Sequence, residues 1–339
     1  MLNNASLRNF GPIEQLDWQG LGNINLIIGS NGCGKSFLLK ALYSAVRTLE
    51  DYQRGDNKQN SAADILATKL FWTFQPDRRI GDLVNKQAND PLSLELKLDN
   101  RVFKYSFGKD TNKSIASIEN HVLPRSNNSI FLPAKEVLSL FHIILKSREQ
   151  DKVFGFDDTY LDLAKALHQS PQKGKNFLEF SKSRKSLEEI IGGKVEYDDA
   201  SSRWQFKKGN QKFAIGVTAE GIKKIAILDT LLCNRYLTKN SIIFIDEPES
   251  ALHPEAIAKL LDIIVILANH GIQFFIASHS YFVIKKLFLI AQEQKLSIPV
   301  LSYQNNEWLK SDLLEEMPDN PIINESIRLY EEEVDLAFK

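Results

Sequence analysis

The segment Gly29-Ser30-Asn31-Gly32-Cys33-Gly34-Lys35-Ser36 constrains this chain more than any other. It matches G-x-x-x-x-G-K-[ST] in full. Before it stands the apolar run Ile24-Asn25-Leu26-Ile27-Ile28, which reads as a strand. After it, Phe37 to Leu49 reads as a helix, with Leu38, Ala41, Leu42, Ala45 and Leu49 on one buried stripe. Glycines between a strand and a helix let backbone N–H groups turn inward around phosphate oxygens, and the helix N-terminus adds partial positive charge. The expected cradle is Asn31, Gly32, Cys33, Gly34, Lys35, Ser36 and Phe37. Lys35 is expected to reach the β- and γ-phosphates, and the Ser36 hydroxyl to bind Mg²⁺. A bulky thiol reagent on Cys33 is expected to block binding, unless that thiol is packed and unreactive.

The rest of the chain reads as an α/β fold with a mainly parallel sheet, an antiparallel β subdomain and a helical insertion. Residues 1–28 look like strands around a Gly11-Pro12 turn. Short helices are read near Asp64–Phe71 and Ile80–Lys86. Leu92, Leu94, Leu96 and Leu98 then alternate, as do Phe103, Tyr105 and Phe107, with Asp99-Asn100 between: a hairpin. Ser129–Leu132 is a short strand. Helical spacing follows at Val137, Leu140, Phe141, Ile144 and Leu145, then over Tyr160–Leu167 and Phe177–Ile191. Strands return at Lys194–Tyr197, Arg203–Phe206 and Lys212–Val217. From Thr218, apolar helices alternate with the buried-type strands 242–245 and 273–277, which implies a parallel sheet covered on both faces. A hairpin near Gln304-Asn305-Asn306 and a helix over Asn324–Leu336 close the chain. Three parts are expected: residues 1–133 as an N-terminal lobe, 134–192 as a helical insertion, and 193–339 as a C-terminal lobe.

The second constellation is Ile242-Ile243-Phe244-Ile245-Asp246-Glu247-Pro248-Glu249, where two carboxylates sit at the C-terminal end of an apolar strand. In open α/β sheets that end is where ligands bind. Asp246 is placed to hold Mg²⁺, and Glu247 to orient and deprotonate an attacking water. The third is Ala277-Ser278-His279-Ser280, again at a strand end, where His279 could bond a γ-phosphate or the attacking water.

The order of phosphate loop, long insertion, Thr218–Lys224, Asp-Glu-Pro-Glu and Ser-His-Ser resembles the ABC-type ATPase superfamily. Leu7-Arg8-Asn9-Phe10-Gly11-Pro12-Ile13 leading into Ile28-Gly29-Ser30-Asn31-Gly32 looks like its SMC and RecF branch. Asp246 to Pro254 is similar to the overcoming-lysogenisation-defect (OLD) group, many of which act in phage defence beside a separate effector. The resemblance implies ATP and Mg²⁺ as ligands and ATP hydrolysis, slow if the signature is impaired. It implies Glu247 as catalytic base, His279 as switch histidine, and Lys35, Ser36 and Asp246 in the roles given above. It also implies a homodimer sandwiching two nucleotides, or a higher oligomer. The signature segment then corresponds to Thr218-Ala219-Glu220-Gly221, with Thr218 and Gly221 reaching the partner's phosphate. Ala219 stands where a serine hydroxyl is expected. Gln75 is the best candidate for the family's Q-loop glutamine, with Phe131 to Glu136 as the alternative occupant of that site. Lys135-Glu136 also reads simply as a helix start bearing surface charges.

Composition sets bounds on these readings. The 339 residues are 43% apolar and 25% charged with a net charge of −1, so the chain as a whole is no polyanion binder. Lys173, Lys175, Lys182, Arg184 and Lys185, and again Arg203, Lys207, Lys208 and Lys212, form basic clusters. Interspersed acids favour a solvated surface there over a DNA contact. Two cysteines without metal spacing, no apolar leader and no membrane-length apolar run point to a cytoplasmic chain with no membrane partner. The leading reading is a regulatory ATPase with a separate effector protein. A RecF/SMC-like repair ATPase and a transporter nucleotide-binding subunit are the alternatives.

Overall fold

In the computed structural model, residues 1–170 and 178–338 are described. The elements run β1 (Leu2–Phe10), β2 (Ile13–Trp18), β3 (Ile24–Gly29), α1 (Lys35–Asp51), α2 (Ala62–Phe74), β4 (Leu92–Leu98), β5 (Arg101–Phe107), β6 (Ser117–Asn120) and β7 (Ile130–Leu132). Next come α3 (Phe141–Leu145), α4 (Asp158–Leu167), α5 (Leu178–Ile191), β8 (Lys194–Asp198), β9 (Arg203–Lys208) and β10 (Gln211–Ala214). The chain then continues through α6 (Glu220–Cys233), β11 (Ile242–Asp246), α7 (Pro254–Asn269), β12 (Gln273–Ser278), α8 (Tyr281–Gln294), β13 (Pro299–Gln304), β14 (Glu307–Asp312) and α9 (Pro321–Ala337).

The central sheet has the order β14-β13-β3-β12-β11-β7. All its neighbouring pairs are parallel except β13–β14. Successive side chains on a strand face opposite ways, and the sequence supplies apolar residues to both faces. Ile24, Leu26, Ile28, Ile243, Ile245, Phe274 and Ile276 enter one core, with residues of α3 to α7. Ile27, Ile242, Phe244, Phe275 and Ala277 enter the other, with α1, α2 and the antiparallel sheet β2-β1-β4-β5-β6. Asp99 and Asn100 turn the β4–β5 hairpin with φ of +47° and +64°, conformations that Asp and Asn tolerate.

Several elements differ from the sequence pattern. The helix expected around Val137 is α-helical only over Phe141–Leu145 and continues as a π-turn, Lys146–Gln150. The cause is Glu136: its buried carboxylate accepts the Ser139 N–H at 3.0 Å and pairs with Lys223 at 3.4 Å, which holds the preceding residues in a turn. The strand expected to reach Val217 stops at Ala214, and residues Ile215–Val217 form a 3₁₀ turn. Ile80–Leu83 is likewise a 3₁₀ turn where a short helix to Lys86 is expected. The helix expected from Phe177 is described from Leu178; Phe177, Lys173 and Lys175 lie outside the described residues.

Ion pairs clamp α1, α2 and α4 together on one side. Tyr43 Oη donates to Asp162 at 2.6 Å; Lys69 Nζ lies 2.9 Å from both Asp162 and Asp158; Arg148 meets Asp158 at 2.8 Å. Burial pushes the Asp162 carboxyl up, but Lys69 and Arg47 outweigh it and hold the group below its usual range. A depressed native pKa gives stability that is present above about pH 4 and is lost as pH falls through the native value. Replacing Asp162 by Ala leaves Lys69 and Tyr43 without this partner in a buried setting. The expected cost is about 3–5 kcal/mol in urea unfolding. A cost under about 1 kcal/mol would show that the cluster is not a clamp.

Candidate functional site

Register builds the site. Asp246 of β11 pairs with Ala277 of β12, Ser278 of β12 with Ile28 of β3, and Gly29 of β3 with Tyr303 of β13. The phosphate loop, the Asp246-Glu247 pair and Ser278-His279 therefore emerge side by side at the C-terminal edge of one sheet, where open α/β folds bind ligands.

The loop is tightly turned. A Cβ on Gly29 would lie 2.9 Å from both Cys33 Sγ and Tyr303 Cβ, and Gly34 has φ of +97°. Helix α1 begins at Lys35 with no side-chain cap. Its first N–H groups, including those of Ser36 and Phe37, are therefore available to an anion. Asn31, Gly32 and Ser36 are exposed on this surface. Lys35 is buried, and its Nζ donates to the carbonyls of Gly29 (2.7 Å) and Ser30 (2.9 Å). Those are neutral acceptors, which a phosphate oxygen would replace at a profit in charge. The Phe37 side chain turns away into the N-terminal core, 4.5 Å from the Phe74 ring and 5.3 Å from Phe10. Its contribution to a ligand is limited to backbone. Cys33 is only 9% exposed, and burial pushes its thiol up from the usual range. That favours the packed, unreactive thiol over the reactive one.

Asp246 is mostly buried; burial and the neighbouring Glu247 charge push its carboxyl up, against the pull of the nearby Ser36 hydroxyl and the charges of Lys40 and Lys35. Its Oδ1 is buried without a hydrogen-bond partner. A lone carboxylate oxygen beside a serine hydroxyl, with no third acidic or histidine ligand grouped there among the described residues, suits a Mg²⁺ that takes its remaining ligands from phosphates and water. Glu247 follows with φ of +50°, a left-handed conformation that is uncommon for this residue type and clusters at functional sites. Its N–H donates to the Ala277 carbonyl, and its carbonyl accepts from Lys224 Nζ at 3.1 Å. His279 Nδ1 lies 3.4 Å from Glu247 Oε1 and 3.7 Å from Glu249 Oε1.

Glu249 is a residue to which sequence reasoning assigned no role. Its Oε1 accepts from Ser278 Oγ (2.8 Å) and the His279 N–H (3.2 Å), which ties the end of β11 to the end of β12. The acidic triplet 246, 247, 249 was visible in the sequence, but only the pairing of the two strands gives the third acid its partner.

The signature-like segment stands differently from expectation. The Thr218 hydroxyl donates to the Ala214 carbonyl at 3.3 Å and its N–H to Ile215. Gly221 was expected to serve only a partner chain, yet it has a local use: a Cβ there would lie 2.7 Å from the Ala251 carbonyl oxygen and 2.9 Å from Leu252 Cδ2. Gln75 is spent on the loop before α4, donating to the Phe156 carbonyl and accepting from the Gly155 N–H. Glu136 is not a surface charge but is buried against Lys223, while Lys135 is exposed. Of the basic residues, Arg184 is bound to Asp229 and Glu188, and Lys212 is 4.0 Å from Glu196, which leaves less free charge for a polyanion.

Residues 24–285 match a family described as "AAA domain, putative AbiEii toxin, Type IV TA system". An ATP/GTP phosphatase of Helicobacter pylori is 20% identical over 364 aligned positions, covering 90% of this chain and 96% of the relative. Among solved structures, an SMC head bound to the C-terminal winged-helix domain of ScpA superposes with a TM-score of 0.53 at 13% identity, covering 92% of this chain and 97% of that one. An SMC head with an extended coiled coil, bound to the C-terminal domain of ScpA and derived from Pyrococcus furiosus, gives 0.50 at 12% identity, covering 96% and 99%. These likenesses establish the fold.

The close approach at Gly221 yields a direct check. Gly221→Ala should lower stability by about 1–3 kcal/mol in the absence of any nucleotide, because the 251–252 turn must move. Unchanged melting of the nucleotide-free protein would show that this packing is slack.

Proposed function

The chain belongs to this AAA-domain family and is an SMC/ABC-like P-loop ATPase; from that premise we propose that it binds and hydrolyses ATP between two copies of itself, as the regulatory subunit of a two-part defence system. One observation carries the nucleotide reading. The uncapped N-terminus of α1, Lys35, Ser36 and the unpartnered Asp246 Oδ1 converge at one sheet edge, with Glu247 and His279 beside them.

In this reading the backbone from Asn31 to Phe37 surrounds the phosphates, and Lys35 leaves the Gly29 and Ser30 carbonyls for the β- and γ-oxygens. Ser36 and Asp246 hold Mg²⁺, which when bound neutralises phosphate charge. Glu247 accepts the proton of the attacking water. His279, within reach of Glu247, orients the γ-phosphate side of the site. The ring of His279 stays half-exposed, as a group that must meet a ligand or a second chain would.

Two features support a homodimer closed by ATP. Val217 is 79% exposed directly before Thr218, and Phe282 is 60% exposed three residues after His279, so apolar surface flanks both segments that would face a partner copy. Helix α6 starts at Glu220 without a side-chain cap. With the Thr218 hydroxyl engaged in the chain and Ala219 lacking one, the contact to the partner's γ-phosphate falls to backbone N–H groups of that first turn, which fits slow hydrolysis. The separate effector is supported by α9. That helix exposes Ile327, Leu329, Tyr330 and Leu336 and buries little beyond Ile323. No helix is long and apolar enough to cross a membrane among the described residues.

Glu247→Gln should slow ATP hydrolysis by about 10²–10⁴-fold while sparing ATP binding, and should accumulate a dimer measurable by light scattering. A variant that stays monomeric at saturating ATP would contradict the sandwich. Ile327→Asp combined with Tyr330→Asp should remove the co-purifying effector from the native host without altering ATP affinity. Retention of the effector would place its contact elsewhere.

A further inference from the structure

We propose that Asp157, the N-cap of α4 within the helical insertion, holds Lys40 away from Asp246 and thereby keeps the Asp246 carboxylate free for a divalent cation. The proposal deepens the Mg²⁺–nucleotide reading above and rests on it.

Lys40 lies four residues beyond Ser36 on α1, so the two share one face of the helix. Asp246, at the C-terminal end of β11, stands at the same sheet edge as the phosphate loop that leads into this helix. A lysine ammonium one turn away is the obvious neutralising partner for a mostly buried carboxylate. Such a pair would occupy the oxygen that a cation needs. The structure has a different arrangement: Lys40 Nζ is 2.6 Å from Asp157 Oδ2, and Asp246 Oδ1, though buried, is bonded to nothing.

Asp157 is built to keep that lysine. It is 8% exposed, and its other oxygen is already used, accepting the Thr159 N–H at 2.8 Å and the Thr159 hydroxyl at 2.5 Å as the cap of α4. The residues just before it are fixed as well. Gln75 holds Gly155 and Phe156 by their backbones, and Arg148 donates to the Phe156 carbonyl and pairs with Asp158. Asp157 is therefore an immobile anion aimed at Lys40. Asp157 and Lys40 are positioning residues, and they tie the insertion to the cation site across 117 positions of sequence.

The test is a Mg²⁺ titration of the binding of a fluorescent ADP analogue to the full chain, compared across wild type, Asp157→Asn, Lys40→Met and the double variant. Asn keeps the helix-capping acceptor while removing the charge, and Asp157→Ser serves as a second capping variant should Asn impair folding. Released from Asp157, Lys40 should turn to Asp246 and compete with the cation, so Asp157→Asn or Asp157→Ser should require about tenfold more Mg²⁺ for half-maximal binding. Adding Lys40→Met should restore the requirement to within about twofold of wild type, because the competitor is gone. A merely structural ion pair predicts no such rescue. An unchanged Mg²⁺ requirement in the Asp157 variants overturns the proposal, as does a double variant no better than the single. Absence of Mg²⁺-dependent binding in wild type would instead overturn the nucleotide reading beneath it.

Discussion

The parallel hydrogen-bonded register of β3, β12 and β11 is the constraint on which the rest depends. These strands are buried on both faces, and their apolar side chains are divided between two cores. A slip of one residue would exchange the faces of a whole strand, which is costly when both faces are packed. The same register sets Gly29, Asp246 and Ser278 at one edge. Hydrophobic burial at the centre of the molecule thus fixes polar geometry at its rim. The strained Glu247 peptide is held in the same way, by the Ala277 carbonyl on one side and Lys224 on the other.

Much of this was legible in the sequence because its causes are local. Alternation at Leu92 to Leu98 and Phe103 to Phe107, with Asp99-Asn100 between, determines a hairpin through side-chain period and turn chemistry alone. The phosphate loop is likewise a contiguous pattern with a contiguous cause. What was not legible depends on residues far apart. Glu136 breaks an expected helix because its carboxylate finds Ser139 and Lys223, the latter 87 positions away. Gly221 looks like a residue reserved for a partner chain until the Ala251 turn is brought against it. Glu249 acquires a role only when Ser278 arrives beside it. Lys40 and Asp157 are individually unremarkable charges, and no local pattern joins them.

These long-range contacts share a theme. Gln75, Asp157 and Lys69 all bind the N-terminal half of α4 or the loop before it to α1 and α2, the elements next to the phosphate loop. Lys223 and Lys224, adjacent on α6, reach Glu136 on one side and the Glu247 carbonyl on the other. The segment expected to face a second copy is thus mechanically connected to the expected catalytic base. Such connections are what allow nucleotide state to be felt by partner-binding surfaces, provided the elements have two arrangements to choose between.

The central claim is that this sheet edge holds a metal–nucleotide complex, and a crystal structure of the chain grown with Mn²⁺ and a non-hydrolysable ATP analogue tests it most directly. The account predicts one anomalous peak within coordination distance of Asp246 Oδ1 and the Ser36 hydroxyl, with the β- and γ-phosphates on the N–H groups that open α1. A nucleotide bound elsewhere, or a metal peak away from Asp246, would contradict it.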